Sequence, residues 1–181
     1  MKIRLAADLQ SDSIVDGLGI RTVIWTQGCS HNCPGCHNPF THDFCSGDLV
    51  DLEDVIERLE DLEGQDGVTF SGGDPMFQAK ACAILAEKIH ELGMNVWAYT
   101  GFTFEELLEK GNSDILDFLN QIDVLIDGKF DISKRNLSLE FRGSSNQRII
   151  DIPKSLESNE ITLFELNKKE LETKKKEILY I

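Results

Sequence analysis

Apolar positions along the chain follow two alternating periods, which predict strands and helices in turn. Residues 23–25 form a short apolar run typical of a buried strand, and residues 52–62 then carry apolar side chains at helical spacing. The same alternation continues to residue 164. It predicts further strands at 68–70, 96–99, 124–126, 148–150 and 161–164, and further helices at 81–92, 104–110 and 114–120.

Strands that alternate with helices predict the α/β class, with a parallel sheet and helices packed outside it. A closed barrel of eight such units typically takes about 250 residues, whereas this chain has 181. About six units fit, so we expect an incomplete, open parallel β/α barrel of about six strands. We expect residues 1–166 to form a single domain and residues 167–181 a polar C-terminal tail or helix.

The charge balance disfavours two classes of partner. Lys and Arg total 18 against 32 Asp and Glu, which gives a net charge of −14. Such an excess of negative charge argues against nucleic acid or an anionic membrane surface as the main partner. The chain also has no run of eighteen apolar residues and no apolar leader, so we expect a cytoplasmic protein without a membrane segment.

Three cysteines in the loop after the first of these predicted strands are the strongest chemical signal. Cys29, Cys33 and Cys36 lie four and three residues apart. Thiolates at this spacing on one tight loop can hold a soft metal centre. A cluster of four irons normally takes four thiolates, so a set of three leaves one iron open to a substrate.

Other interpretations of the cysteines are weighed beside the cluster. A disulfide framework is disfavoured, because the chain has five cysteines, an odd number, and a cytosolic protein keeps its thiols reduced. Cys82 lies among predicted core positions and is expected to be structural. A structural zinc site remains open from the loop alone, since a fourth ligand is available nearby from His31, His37, His42 or Cys45.

Gly72-Gly73-Asp74-Pro75 follows the next apolar strand directly. Two glycines allow backbone groups to approach a ligand closely, and an aspartate can accept hydrogen bonds from an ammonium group. Asp followed by Pro is also a favoured helix start. The motif alone therefore leaves capping and ligand binding open.

Several polar loops are predicted to meet at one edge of the sheet. In α/β folds the working loops follow the carboxyl ends of parallel strands. The cysteine loop, residues 71–75, residues 100–101 and residues 127–129 all follow predicted strands. We therefore expect the groups of chemical interest to converge on one rim.

The cysteine spacing and the Gly-Gly-Asp-Pro sequence together resemble the radical S-adenosylmethionine enzymes. Residues 16–21, 27–29 and 36–39 narrow the resemblance to the activases of glycyl radical enzymes. Residues 99–101, 127–130 and 142–148 are similar to the activases of anaerobic ribonucleoside-triphosphate reductase. The similarity runs from about residue 16 to residue 151, and Arg-Gly-Ser-Ser-Asn-Gln at 142–147 is its most discriminating part.

The resemblance implies a set of site residues. The three cysteines would bind a [4Fe–4S] cluster, whose open iron chelates the amine and carboxylate of S-adenosylmethionine. An aromatic residue that often precedes the third cysteine is Gly35 here, so adenine packing would involve the backbone around it. The residues implied as cofactor-binding are Gly35, Cys36, His37, Gly72, Gly73, Asp74, Thr100, Asp127, Lys129 and Ser145.

The function implied is an oxidoreductase activase. S-adenosylmethionine would be split to methionine and a 5′-deoxyadenosyl radical, which takes a hydrogen atom from a glycine in a loop of the reductase. A flavodoxin- or ferredoxin-like protein would donate the electron. Three alternatives stay open: an activase of pyruvate formate-lyase type, a small-molecule radical enzyme such as the deazaguanine-forming synthase, and a non-catalytic zinc or iron–sulfur module.

Overall fold

The computed structural model describes residues 1–109 and 112–166. Helices pack on a sheet that contains both parallel and antiparallel pairs of strands. The helices described are α1 Leu52–Glu60, α2 Ala79–Glu91, α3 Phe104–Glu109, α4 Ser113–Asn120 and α5 Ile152–Ser158. The strands described are β1 Lys2–Leu5, β2 Gln10–Ser13, β3 Arg21–Thr26, β4 Asp48–Asp51, β5 Gly67–Gly72, β6 Asn95–Tyr99, β7 Val124–Asp127 and β8 Arg148–Asp151.

The sheet is open, as predicted, but it is mixed rather than parallel. Its strands lie in the order β4-β1-β3-β5-β6-β7-β8, with β2 paired to β3 beside this path. Among the described strands, β3, β5, β6 and β7 form the parallel pairs, while β1, β2, β4 and β8 pair antiparallel with their neighbours. The prediction of about six parallel strands was therefore wrong in both count and direction.

The connection before β8 explains part of this difference. A parallel return needs a crossover of a dozen or more residues, usually helical. Between β7 and β8 the chain has only the short 3-10 helix Ile132–Lys134, and β8 returns antiparallel to β7. The strand predicted at 161–164 is reduced to one bridge between Ile150 and Leu163. The C-terminal segment 167–181 lies outside the described residues.

The apolar periods that predicted the helices also account for the core. Val55 and Leu59 of α1 and Leu85 and Ile89 of α2 are fully buried or nearly so. Burying one such side chain stabilises the fold by about 1.5–3 kcal/mol. These side chains share one apolar core with residues of the strands, so the helices pack directly on the sheet.

The register of the parallel strands determines where the loops lie. Thr26 at the end of β3 is level with Gly72 at the end of β5. The backbone N–H of Gly73 donates to the carbonyl of Thr26 at 2.7 Å, and that of Asp74 donates to Gly28 at 3.0 Å. The cysteine loop and the Gly-Gly-Asp-Pro loop therefore start side by side at one edge of the sheet.

Arg21 lies at the opposite end of β3 and is fully buried. Its guanidinium donates to the Thr69 hydroxyl and to the Asn95 side chain, and it lies 5.1 Å from the ring centroid of Trp97. Burial lowers the pKa of Arg21 to about 10. Its hydrogen bonds satisfy a charge that would otherwise be costly to bury, so the far end of the sheet is held by polar contacts.

In the described part of the chain, no helix combines the length and the apolar character needed to cross a bilayer.

Candidate functional site

A cavity of about 440 Å³ opens at the carboxyl ends of the parallel strands. This volume lies within the range of small-molecule sites. The cavity is lined by Cys29, Cys33 and Cys36 on one side, and by Gly72 and Gly73 beside them. The predicted rim therefore exists, and it brings the two main motifs of the sequence together.

Backbone N–H groups lie close to all three cysteine sulfurs. Those of His31 and Phe130 act to lower the pKa of Cys29 and of Cys33, and the N–H of Asn38 donates to the sulfur of Cys36 at 3.4 Å. Hydrogen bonds of this kind stabilise thiolates and tune the potential of an iron–sulfur cluster. The loop thus offers three sulfurs and a matching set of N–H donors.

Burial works against ionisation of these thiols when no metal is bound. It raises the pKa of Cys29 to about 11 and raises the pKa of Cys33 as well. Metal ligands must be deprotonated, so binding of iron releases protons from this loop. Lys129, although it does not line the cavity, lies near enough to lower the pKa of Cys33 by its charge.

The donor set fits a four-iron cluster with three protein ligands. Three half-exposed thiols face one cavity, and none of the five cysteines forms a disulfide. Within residues 1–109 and 112–166, no three His, Cys, Asp or Glu side chains are grouped to hold a single metal ion. A cluster of four irons is wider than one ion and takes its thiolates from farther apart.

The cysteine loop turns tightly at Gly35, where φ is +74°. A Cβ at this position would lie 2.4 Å from Cδ1 of Ile132. An aromatic side chain would therefore require that neighbour to move. This contact explains why the position before the third cysteine holds a glycine in this chain rather than an aromatic residue.

Gly72 and Gly73 are confined by the neighbouring loop. A Cβ on Gly72 would lie 2.5 Å from the carbonyl oxygen of Thr26, and one on Gly73 would lie 2.5 Å from that of Gly28. These contacts are with backbone, which cannot rotate away. The glycines therefore allow the loop to line the cavity with backbone groups directly beside the cysteine loop.

The carboxylate of Asp74 is buried. Its side chain is 1% exposed and is not part of the cavity lining. The carboxylate accepts hydrogen bonds from the Met76 N–H, the Thr100 hydroxyl, the Gly101 N–H and the His31 ring. In this structure Asp74 thus caps a 3-10 helix and ties loops together, as the capping interpretation of the motif expected.

Four further predicted cofactor residues lie outside the cavity lining, and Gly35 is one of them. Asp127 is 1% exposed, accepts a hydrogen bond from the Phe104 N–H and pairs with Arg148. The Lys129 side chain is exposed, and so is Ser145, whose N–H donates to Lys134. By contrast, Cys36, His37 and Thr100 all line the cavity.

Other lining residues were not assigned to the site from the sequence. Arg142 is one, and its Nε is buried without a hydrogen-bond partner among the described residues. Val15 and Leu137 are two more, and they are 70% and 85% exposed. Arg142 belongs to the 142–148 string, so that motif was a usable signal, whereas nothing in the sequence marked the two apolar residues.

Comparison with known proteins identifies close relatives. Residues 15–150 match the family described as "4Fe-4S single cluster domain". The anaerobic ribonucleoside-triphosphate reductase-activating protein of Pasteurella multocida is 38% identical over 75% of this chain and 90% of its own length. The proteins of the same name from Salmonella typhi and Escherichia coli K12 are 38% and 37% identical, each over 74% of this chain and 90% of their own length.

The chain is also similar in part to solved structures. The crystal structure of QueE from Escherichia coli aligns with a TM-score of 0.45 and 18% identity, covering 57% of this chain and 54% of the other. The match to a 4Fe-4S family favours an iron–sulfur cluster over zinc at the cysteine loop.

Proposed function

This chain belongs to the family of anaerobic ribonucleoside-triphosphate reductase-activating proteins, and on that premise we propose that it installs a glycyl radical on such a reductase. The cofactors are a [4Fe–4S] cluster and S-adenosylmethionine. One observation carries the proposal: three cysteine sulfurs, each with a backbone N–H donor, face the cavity beside a loop of two glycines.

The cysteine loop would hold the cluster through Cys29, Cys33 and Cys36. When bound, the reduced cluster supplies one electron that splits S-adenosylmethionine into methionine and a 5′-deoxyadenosyl radical, which removes a hydrogen atom from a glycine Cα. Hydrogen-atom transfer needs no side-chain general base. The protein therefore contributes binding, orientation and exclusion of water.

The residues beside the cysteines would orient the methionine end of S-adenosylmethionine. Backbone groups of Gly72 and Gly73 line the cavity next to the cysteine loop, and the Thr100 hydroxyl lies at the same rim. Lys129, whose charge reaches Cys33, supplies positive potential for the carboxylate of the cofactor. Backbone at Gly35, Cys36 and His37 would receive the adenine.

Asp127 and Ser145 have indirect roles in this proposal. Asp127 binds Arg148 and caps the first turn of α3, which fixes the loop carrying Lys129. The N–H of Ser145 holds the 142–148 string against Lys134. The side chains of both residues would support the cavity wall without touching the cofactor.

The open cavity suits a protein substrate. Val15 and Leu137 stand at its mouth, largely exposed, where apolar contact with an incoming loop would exclude water. A glycine in that loop has no side chain to block the approach of the radical. The partner is thus the reductase, through a loop that presents its glycine.

Further parts of the proposal concern the setting of the reaction. A flavodoxin- or ferredoxin-like protein supplies the electron, and the protein works in the cytoplasm, where free cysteines stay reduced. Residues 1–166 form one domain, since strands from Lys2 to Asp151 join a single sheet.

The test is electron paramagnetic resonance on the anaerobically reconstituted, reduced protein with S-adenosylmethionine and an anaerobic ribonucleoside-triphosphate reductase. We expect a glycyl-type doublet that needs every component. Pyruvate formate-lyase in place of the reductase is the matched control and should give no doublet. A doublet with pyruvate formate-lyase but none with the reductase would make the protein an activase of the pyruvate formate-lyase type. If no 5′-deoxyadenosine forms with either partner, the radical chemistry is refuted.

A further inference from the structure

His31 occupies an unusual place in the cysteine loop. It lies between the first two cysteines, yet its side chain is only 7% exposed. Its ring packs edge-on against Phe102 at a centroid distance of 4.4 Å and lies 5.9 Å from Phe77. A histidine that merely faced solvent from a loop would have none of these contacts.

The His31 ring makes one short polar contact. Nε2 lies 2.7 Å from Oδ2 of Asp74, and a carboxylate offers only acceptors, so the ring N–H donates. The same carboxylate accepts from Thr100 at 2.9 Å and from the Gly101 N–H at 2.9 Å. Asp74 therefore joins the loops that follow β3, β5 and β6 at one point.

The backbone of His31 links this junction to the metal site. Its N–H lies close enough to the sulfur of Cys29 to lower the pKa of that thiol, while its ring is held by Asp74. A fixed ring leaves little freedom to the peptide that carries the N–H. The geometry of the hydrogen bond to the sulfur is thereby tied to the position of the Gly-Gly-Asp-Pro loop.

The fold leaves room for this ring at a specific place. A Cβ on Gly101 would lie 2.4 Å from Cδ2 of His31 and 2.7 Å from its Nε2. Gly101 and Asp74 thus form two sides of a slot for the imidazole. The slot is a second observation, independent of the hydrogen bond, that points to a dedicated position for His31.

We propose that His31 is a positioning residue that locks the cysteine loop to the Gly72–Asp74 loop through the carboxylate of Asp74. This proposal rests on the proposed function, because S-adenosylmethionine would span these two loops.

The test compares His31→Ala and His31→Gln with the wild-type protein, all reconstituted anaerobically. The control is His90→Ala, because His90 forms a similar pair with Asp123 at 3.0 Å, partly exposed and at the opposite end of the parallel strands. Gly101→Ala tests the same contact between His31 and Asp74, because its added Cβ should displace the His31 ring without removing a polar group. Readouts are iron content, affinity for S-adenosylmethionine and the reduction potential of the cluster.

We expect His31→Ala to retain its iron and to bind S-adenosylmethionine about 10- to 100-fold more weakly, as when a partner of a metal ligand is lost. Its cluster potential should become more negative, because a weakened N–H···S bond stabilises the reduced cluster less. His31→Gln should recover most of both properties, because its amide can still donate to Asp74. Gly101→Ala should resemble His31→Ala, and His90→Ala should match the wild type.

Three results would overturn the proposal. The first is a His31→Ala protein with unchanged cluster potential and unchanged affinity for S-adenosylmethionine. The second is a His31→Gln protein that recovers neither property relative to His31→Ala. The third is loss of iron from a folded His31→Ala protein, which would make His31 a ligand. The potential is measured without S-adenosylmethionine. If the wild type holds a cluster but does not bind S-adenosylmethionine, the proposed function fails while the role of His31 is still decided by the potential.

Discussion

Gly73→Ala is the sharpest perturbation of the candidate site that leaves every polar side chain in place. The added Cβ would lie 2.5 Å from the carbonyl oxygen of Gly28, 2.9 Å from its carbonyl carbon and 3.0 Å from its nitrogen. Normal contact between such atoms begins near 3.5 Å, so the two loops must separate by roughly 1 Å. Gly28 directly precedes Cys29, so the separation moves the cluster ligands away from the glycine loop.

Hydrogen bonds oppose that separation. Gly73 donates to Thr26 at 2.7 Å, and Asp74 donates to Gly28 at 3.0 Å, so the strain falls on both bonds. We expect overpacking to lower the free energy of unfolding by about 1–3 kcal/mol. A misplacement of about 1 Å between reacting groups costs about 10²-fold in rate, and we expect that loss in S-adenosylmethionine cleavage.

The assay is anaerobic formation of 5′-deoxyadenosine with a chemical reductant, at matched iron content. Gly93→Ala is the control, because it adds a methyl group where nothing lies within 4 Å, at a φ of +80° that makes a Cβ costly as well. It should lose stability without losing the rate of cleavage. Full cleavage activity in a folded Gly73→Ala protein would refute the close apposition of the two loops.

Further predictions concern the cysteines and the ion pairs. Replacing any one of the three cavity cysteines by alanine should abolish cluster binding, measured as iron per chain. Cys82→Ala should keep it, because Cys82 is fully buried and does not line the cavity, and should cost about 1 kcal/mol of stability. Loss of iron in this variant would show that the ligands are wrongly assigned. Arg148→Met should lower the free energy of unfolding in urea by about 3 kcal/mol, because it leaves the buried carboxylate of Asp127 without its ion-pair partner, although Arg148 itself is 31% exposed. The double variant Arg148→Met/Asp127→Asn, which also removes the unpaired charge, should recover part of this loss. The hydrogen bond from Arg148 lowers the pKa of Glu105 from 4.5 to about 2, so its stabilising effect is present above pH 4.5 and is lost as the pH falls towards 2. Glu105→Gln should remove this part of the pH dependence of unfolding, and an unchanged profile would contradict it.

The sequence predicted the parts of the fold where apolar periodicity is strong. The helices α1 to α4 and the parallel strands β3, β5, β6 and β7 were predicted near their observed bounds. Strands β1, β2 and β4 were not predicted. Two of them are short and polar: β2 reads Gln-Ser-Asp-Ser, and β4 reads Asp-Leu-Val-Asp. Their pairing is set by neighbouring strands, and a local pattern does not record it.

The candidate site was predictable where its residues lie close together in the sequence. The cysteine loop and the two glycines meet at the cavity because parallel strands end at one edge. The contacts of His31 were not predicted, because Asp74, Phe102 and Gly101 come from loops 43 and more residues away. Asp127 was placed among the cofactor residues, while its ion pair with Arg148, 21 residues later, depends on the antiparallel return of β8.

The central claim is transfer of a hydrogen atom from a glycine of the reductase to the adenosyl group. The most direct measurement uses reductase labelled with deuterium at the glycine Cα, with mass spectrometry of the 5′-deoxyadenosine formed. We predict that this product carries one deuterium and matches the glycyl radical in amount. Unlabelled 5′-deoxyadenosine formed alongside a glycyl radical would contradict direct transfer, and the proposed function with it.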